Sequence, residues 1–250
     1  MGRALIEAVL GSRDLELAAA IEAPGSPLIG RQAGELVGMP GAVRISAGFS
    51  EGDCLIDFTR PEGALANLEQ CLAKGMRMVI GTTGFSEKQG ERIAQAAKRI
   101  AIVKAPNMSA GVNLAFTLAE KAARTLGEGY DVEIIEAHHK HKVDAPSGTA
   151  LRFGEAIARA LGRDLSRDAV HGRRGEVGER DPRAIGFHAV RGGDIVGEHT
   201  VMFAGEGERL EITVRSASRA TYAMGALRAA RFVAGKASGL YDMQDVLGLR

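Results

Sequence analysis

Positions 138–144, "HHKHKVD", hold three histidines, two lysines and an aspartate, and the surrounding run "EAHHKHKVDAPSGTA" (136–150) continues at once into a Pro-Ser-Gly-Thr turn. Three kinds of chemistry fit such a run: metal binding, a charged surface loop, or an acid/base centre. A metal site needs neutral imidazoles and a third or fourth ligand at fitting spacing. Two ammonium groups beside an HHxH pattern repel a cation, so no metal ligand is assigned. Blocks of charge are usually solvated loops, but here a helix start follows directly. Ser147 or a neighbour is placed to cap that helix, with the N–H groups of Gly148 and Thr149 pointing out of its N-terminus, which makes an anion site suited to a carboxylate. Positive histidines and a lysine beside it complement a dianionic ligand, and their mutual repulsion lowers each pKa toward the range useful for proton transfer.

The segment before the turn alternates as a strand. Extended, 132–142 places Val132, Ile134, Glu136, His138, Lys140 and Lys142 on one face and His139 and His141 on the other. His171, His188 and His199 lie in no motif and read as structural.

The first 110 residues alternate short apolar runs with helical patterns, the mark of a parallel sheet covered by helices. "LELAAAI" (15–21), "DCLIDF" (53–58), "MRMVIG" (76–81) and "IAIVKA" (100–105) are the strands, with helices opening at Pro61 and, capped by Ser86, at residue 87. Residues 1–10 are helical in period with no strand before them. After a helix over 109–127 come the strand of the charged motif, a helix over 149–162 and the charged glycines of "HGRRGEVGERDPRA" (171–184). From 185 on, "IGFHAVRGG", "IVGEHTVMFAG" and "ERLEITVRSAS" alternate as antiparallel strands do. A last helix begins at Ala220 and ends near Gly239, before a short tail. The expected fold class is α/β: a Rossmann-like doubly wound domain, 1–108 with 220–250, joined to an α+β domain, 109–219.

Open α/β sheets bind ligands at the carboxyl ends of their strands. "GTTG" (Gly81, Thr82, Thr83, Gly84) and "APNMSAG" (Ala105, Pro106, Asn107, Met108 and onward) both stand there, as nucleotide loops or as ordinary tight turns. In dinucleotide folds the last glycine of GxGxxG opens the first helix and an acid about 20 residues on meets the ribose. Gly2 and Glu22 keep that spacing; alternatively Glu22 is a solvated acid beside the Pro24–Pro27 turn.

Thirty-two basic against 31 acidic residues give a net charge of +1, so nothing points to nucleic acid or an anionic membrane. No apolar run approaches the ~20 residues of a membrane span, and the N-terminus carries Glu7 and no signal-peptide core. A cytoplasmic location follows as the expectation, with Cys54 and Cys71 as buried thiols.

The charged motif, together with "IDFTRPEG" (56–63), "VIGTTGF" (79–85), "GDIVGEHTVMF" (193–203) and "ERLEIT" (208–213), resembles the bacterial 4-hydroxy-tetrahydrodipicolinate reductases of lysine and diaminopimelate biosynthesis. The likeness runs through the whole chain. It implies that 109–219 is the substrate-binding and oligomerisation domain of a cytoplasmic homotetramer, which transfers hydride from NADH or NADPH to a cyclic dicarboxylate, with loss of water. By that resemblance His138 is the proton donor/acceptor and Lys142 a proton donor, while His139, Gly148 and Thr149 hold substrate carboxylates. Met1, Glu22, Gly81, Thr82, Thr83, Ala105, Pro106, Asn107 and Met108 match cofactor positions. Met1 and Gly2 match only the end of the family's GxxGxMG loop, so about fifteen residues with a first strand are expected upstream. Ala23 stands where members favouring a 2′-phosphate carry arginine, so no strong preference for NADPH is expected.

Overall fold

The computed structural model describes all residues, Met1–Arg250, in two compact units: Met1–Ala110 with Arg219–Arg250, and Gly111–Ser218.

The first unit opens with helix α1 (Gly2–Leu10), followed by strands β1 (Ala20–Ile21), β2 (Ile45–Ser46) and β3 (Cys54–Asp57). Then α2 (Pro61–Lys74), β4 (Arg77–Ile80), α3 (Glu87–Ala96) and β5 (Ala101–Lys104) alternate as the sequence predicts. Pro61 occupies the first turn of α2. A capping box starts α3: Ser86 Oγ accepts from the Gln89 N–H, and the Gln89 side chain accepts from the Ser86 N–H. β3, β4 and β5 are parallel neighbours. Along β4, Met78 and Ile80 pack into one apolar cluster and Val79 into another, because both faces of a parallel sheet are covered.

The strand expected over 15–21 shrinks to Ala20–Ile21, which pairs with β2 in a separate parallel sheet of two strands. β2 is too short to leave a periodic signal. Cys54 is half-buried and Cys71 fully buried; burial pushes both thiols up to about 12, which leaves them unreactive.

The second unit follows with α4 (Ala110–Leu126), β6 (Asp131–His138), α5 (Gly148–Leu161), α6 (Leu165–Asp168), β7 (Ala169–His171), β8 (Ile185–Arg191), β9 (Gly197–Ala204) and β10 (Arg209–Ser216). Its sheet has the order β10-β9-β6-β8-β7. The expectation of antiparallel strands from 185 on needs correction: β8 runs parallel to β6 and to β7, and only the β6–β9 and β9–β10 pairs are antiparallel. β6 lies between β8 and β9, so the short glycine link between them is no hairpin. Alternation fixes which face a residue takes, not which strand lies beside it.

One face of this sheet is the core, where Ile134, Phe187, Val201 and Phe203 meet Phe116 of α4 and Phe153 of α5. The other face carries Glu133, buried and held from above by the 172–184 segment. Its carboxylate accepts from Arg173 (2.9 and 3.0 Å), Arg180 Nε (2.9 Å) and His188 Nε2 (2.6 Å). Burial alone would raise its pKa, but these donors outweigh it and bring it to about 2. Gly186 stands opposite Glu133 in the register, and a Cβ there would fall 1.8 Å from the carboxylate.

The chain then returns to the first unit with α7 (Ala220–Ala234), β11 (Gly239–Tyr241) and α8 (Met243–Leu247). α7 ends at Ala234, short of the expected Gly239. The presumed tail instead supplies β11, parallel to β5, giving the order β11-β5-β4-β3. Asp242 caps α8 through the N–H groups of Gln244 and Asp245.

Candidate active site

His138 is the last residue of β6 and is buried at 9% exposure. Strand geometry places Glu136, two residues earlier, on the same side, and Glu136 Oε2 lies 2.6 Å from His138 Nδ1. Glu136 is 1% exposed. It also accepts both terminal nitrogens of Arg191 (2.7 and 2.8 Å) and the Ser147 N–H (3.1 Å). Burial opposes its ionisation, yet the Arg191, His138 and Ser147 contacts prevail and its pKa falls below the usual carboxylate range. For His138 burial prevails in the other direction. It disfavours the imidazolium more than Glu136 favours it, with Lys142 adding repulsion, so the pKa lies below that of free histidine.

His199 completes the cluster from β9. Its ring meets that of His138 edge-on, centroids 5.2 Å apart, and its Nε2 lies 3.0 Å from Ser147 Oγ. Burial and the neighbouring His138 lower its pKa to about 4, so it is neutral at physiological pH. No motif announces it; only its return on an adjacent strand, opposite Glu136, places it here.

Ser147 caps α5 as expected, its Oγ accepting from the Ala150 N–H at 3.1 Å. Helix geometry then directs the N–H groups of Gly148 and Thr149 out along the axis. A Cβ on Gly148 would meet nothing within 4 Å, so the space over this helix start is open. Lys140 and Lys142 would follow His138 on one face only if the strand stayed regular past residue 139, and it does not. The strand stops at His138, whose carbonyl accepts from the Gly192 N–H, and the Lys142 N–H folds back onto the His139 carbonyl. Lys142 is nevertheless fixed, its ammonium 2.8 Å from both Asp144 oxygens. His139 presents a buried Nδ1 with no hydrogen-bond partner, and its ring stands 6.3 Å from that of the exposed His141. An orphaned buried polar atom is the kind of group a bound ligand satisfies.

In the first unit, Asp57, Ile80 and Lys104 are in register, so the loops after β3, β4 and β5 leave the same edge of the sheet. Gly81 packs its backbone against Phe58, where a Cβ would lie 2.3 Å from the ring. Thr82 turns inward, donating to Asp57 Oδ1 (3.0 Å) or the Thr59 carbonyl (3.1 Å), so it offers a ligand its backbone rather than its hydroxyl. Thr83 is exposed. After β5, Ala105 and Met108 are buried, Pro106 is exposed, and Asn107 Oδ1 accepts from the Ser109 N–H. Glu22 is exposed just past β1, with Oε1 accepting from the Ala23 N–H, and Met1 caps α1, its carbonyl accepting from the Leu5 N–H. Phe58 fills the space a side chain at Gly81 would need, and Thr83, Gly84 and Pro106 are the exposed residues of these loops.

No group of three or more His, Cys, Asp or Glu side chains is arranged to hold a metal ion, and no helix is long and apolar enough to cross a membrane.

A parallel helix-covered sheet whose loops leave one edge, and a second unit carrying a polar acid/base cluster, define a two-unit α/β protein of the class that includes nucleotide-dependent enzymes. The chain belongs to the dihydrodipicolinate reductase family: residues 1–108 match the model described as "Dihydrodipicolinate reductase, N-terminus" and 111–247 the one for its C-terminus. It is 63% identical to the 4-hydroxy-tetrahydrodipicolinate reductase of Dechloromonas aromatica and 59% identical to that of Nitrosomonas europaea, in each case over all of this chain and 95% of the relative. A dipicolinate-bound dihydrodipicolinate reductase from Paenisporosarcina superposes with a TM-score of 0.75 at 26% identity, covering 98% of this chain and 95% of that one. The family's cofactor is a pyridine nucleotide.

Proposed function

We propose that this chain reduces 4-hydroxy-tetrahydrodipicolinate with NADH or NADPH, giving tetrahydrodipicolinate and water in lysine and diaminopimelate biosynthesis in the cytoplasm. The observation that carries the reading is the pairing of a carboxylate-held histidine, His138, with a capped and open helix start at Gly148. The relatives' names and the dipicolinate in the Paenisporosarcina structure support it.

Residues 1–108 with 220–250 hold the nucleotide, and 109–219 hold the substrate. Glu22 receives the ribose hydroxyls, and the backbones at Gly81, Thr82 and Thr83 and at Ala105, Pro106, Asn107 and Met108 take the nicotinamide half. When bound, the nucleotide supplies the hydride. The protein's own residues do the remainder. Gly148 and Thr149 N–H groups and His139 hold the carboxylates, the ring nitrogen of His138 that faces away from Glu136 exchanges the proton, and Lys142 donates one as the hydroxyl leaves as water. Ala23 supplies no cation beside Glu22, so both nucleotides serve, with a kcat/KM ratio under about tenfold.

The helix-free face of the second unit's sheet carries Val190 at 49% exposure with Ile135 and Met202 half-buried. That apolar row supports assembly into a homotetramer through this sheet.

His138→Gln and Lys142→Ala test the assignment. Each lowers kcat by roughly 10²–10⁴-fold while nucleotide affinity stays within a few-fold. Near-normal kcat in both variants contradicts it.

A further inference from the structure

We infer that Glu136, clamped by Arg191, is a positioning residue that fixes the tautomer and orientation of His138, leaving Nε2 as the nitrogen that exchanges the proton. This rests on the reading of His138 as the proton-exchanging group.

Glu136 Oε1 receives Arg191 Nη2 and the Ser147 N–H; Oε2 receives Arg191 Nη1 and His138 Nδ1. A guanidinium and a backbone amide can only donate. A carboxylate that is enclosed by such donors and is 1% exposed has no proton to give. At 2.6 Å, therefore, Nδ1 of His138 must carry the hydrogen and donate it. The neutral ring then has its lone pair on Nε2, and a proton taken there makes an imidazolium stabilised by the carboxylate at the other nitrogen. This is the relation of base and orienting acid in hydrolase triads, transferred to a different reaction.

Arg191 extends the control beyond one ring. Besides gripping Glu136 it donates from Nη2 to the Asp144 carbonyl at 2.7 Å, while the Asp144 carboxylate holds the Lys142 ammonium. Through the Ser147 N–H, Glu136 also reaches the cap of α5. One buried ion pair on β6 and β8 thus sets the register of the proton-exchanging ring, the lysine loop and the carboxylate-holding helix start. The groups that bear on the charge of His138 are Glu136 and Arg191 beside it, Lys142 from the following loop, itself held by Asp144, and neutral His199 from β9. Among them Glu136 alone contacts the ring with negative charge.

The test joins kinetics with a direct view of the ring. In Glu136→Gln the side-chain amide donates to Nδ1 and the proton moves to Nε2. We expect kcat to fall roughly 10²–10³-fold and the limb of the pH–rate profile due to His138 to move to lower pH. Nucleotide affinity should stay within a few-fold, and Glu136→Asp should recover part of kcat. A merely structural role would lower the amount of active protein without moving the pH limb. Nitrogen NMR of histidine-labelled wild-type protein adds a readout that needs no variant: neutral His138 should be protonated at Nδ1. Protonation at Nε2 in the neutral ring overturns the proposal, as does a Glu136→Gln variant with normal kcat and an unmoved limb while His138→Gln is impaired. Normal kcat in His138→Gln instead removes the reading on which the proposal stands.

Discussion

At the scale of single residues, His199 and Glu133 carry the largest shifts behind the second unit's pH dependence, and the lowered His138 and Glu136 act in the same direction. The folded pKa of His199 lies near 4 against 6.5 for the free side chain, so the unfolded chain binds the extra proton first. Stability is fully present above pH 6.5 and is lost as pH falls through the window down to about 4, by about 3 kcal/mol at its lower end. Glu133, at about 2 against 4.5, acts in a second window below that one, again losing stability as pH falls. Denaturant unfolding at a series of pH values, compared with His199→Phe, should show the upper window flattened in the variant and the lower one kept. An unchanged slope between pH 6.5 and 4 in the variant would assign that window to another group. The same residue marks where sequence reading stops. His199 reads as structural because nothing in "GEHTVM" announces a partner, and the cluster exists only after β9 has returned beside β6.

At the scale of elements, the cap at Ser147 and the gap at Gly186 are the joints that matter. Ser147→Ala removes the side-chain acceptor for the Ala150 N–H and the contact to His199, and should cost about 1–2 kcal/mol. Gly186→Ala sets a Cβ 1.8 Å from the Glu133 carboxylate, which cannot retreat without leaving its arginines. The expected cost is larger, about 2–4 kcal/mol, and calorimetric melting of the two variants should rank them in that order. The helix start after "DAPS" is fully legible from sequence, since a serine before a helical pattern has a local physical meaning. So are Pro61, Ser86 and the parallel strands of the first unit. The partner of β8 and the joining of β11 to the sheet are not, because pairing is a long-range choice that alternation leaves open. Lys142 would share the face of His138 only on a strand that stayed extended past residue 139, and a turn closed by its own N–H on the His139 carbonyl takes it off that line.

At the scale of the whole molecule, the helix-free sheet face and the reductase chemistry make separate claims. Light scattering should give about four times the 26.3 kDa of one chain, and Val190→Glu should lower that mass; a single-chain mass for the unaltered protein excludes the sheet-mediated tetramer. The chemistry is tested most directly by adding 4-hydroxy-tetrahydrodipicolinate to the native protein with NADH or NADPH and following loss of the reduced-nicotinamide absorbance. Both nucleotides should be oxidised in a substrate-dependent way, at roughly 1–1000 s⁻¹, and dipicolinate should inhibit. No oxidation above background with either nucleotide, by protein that still binds dipicolinate, would contradict it.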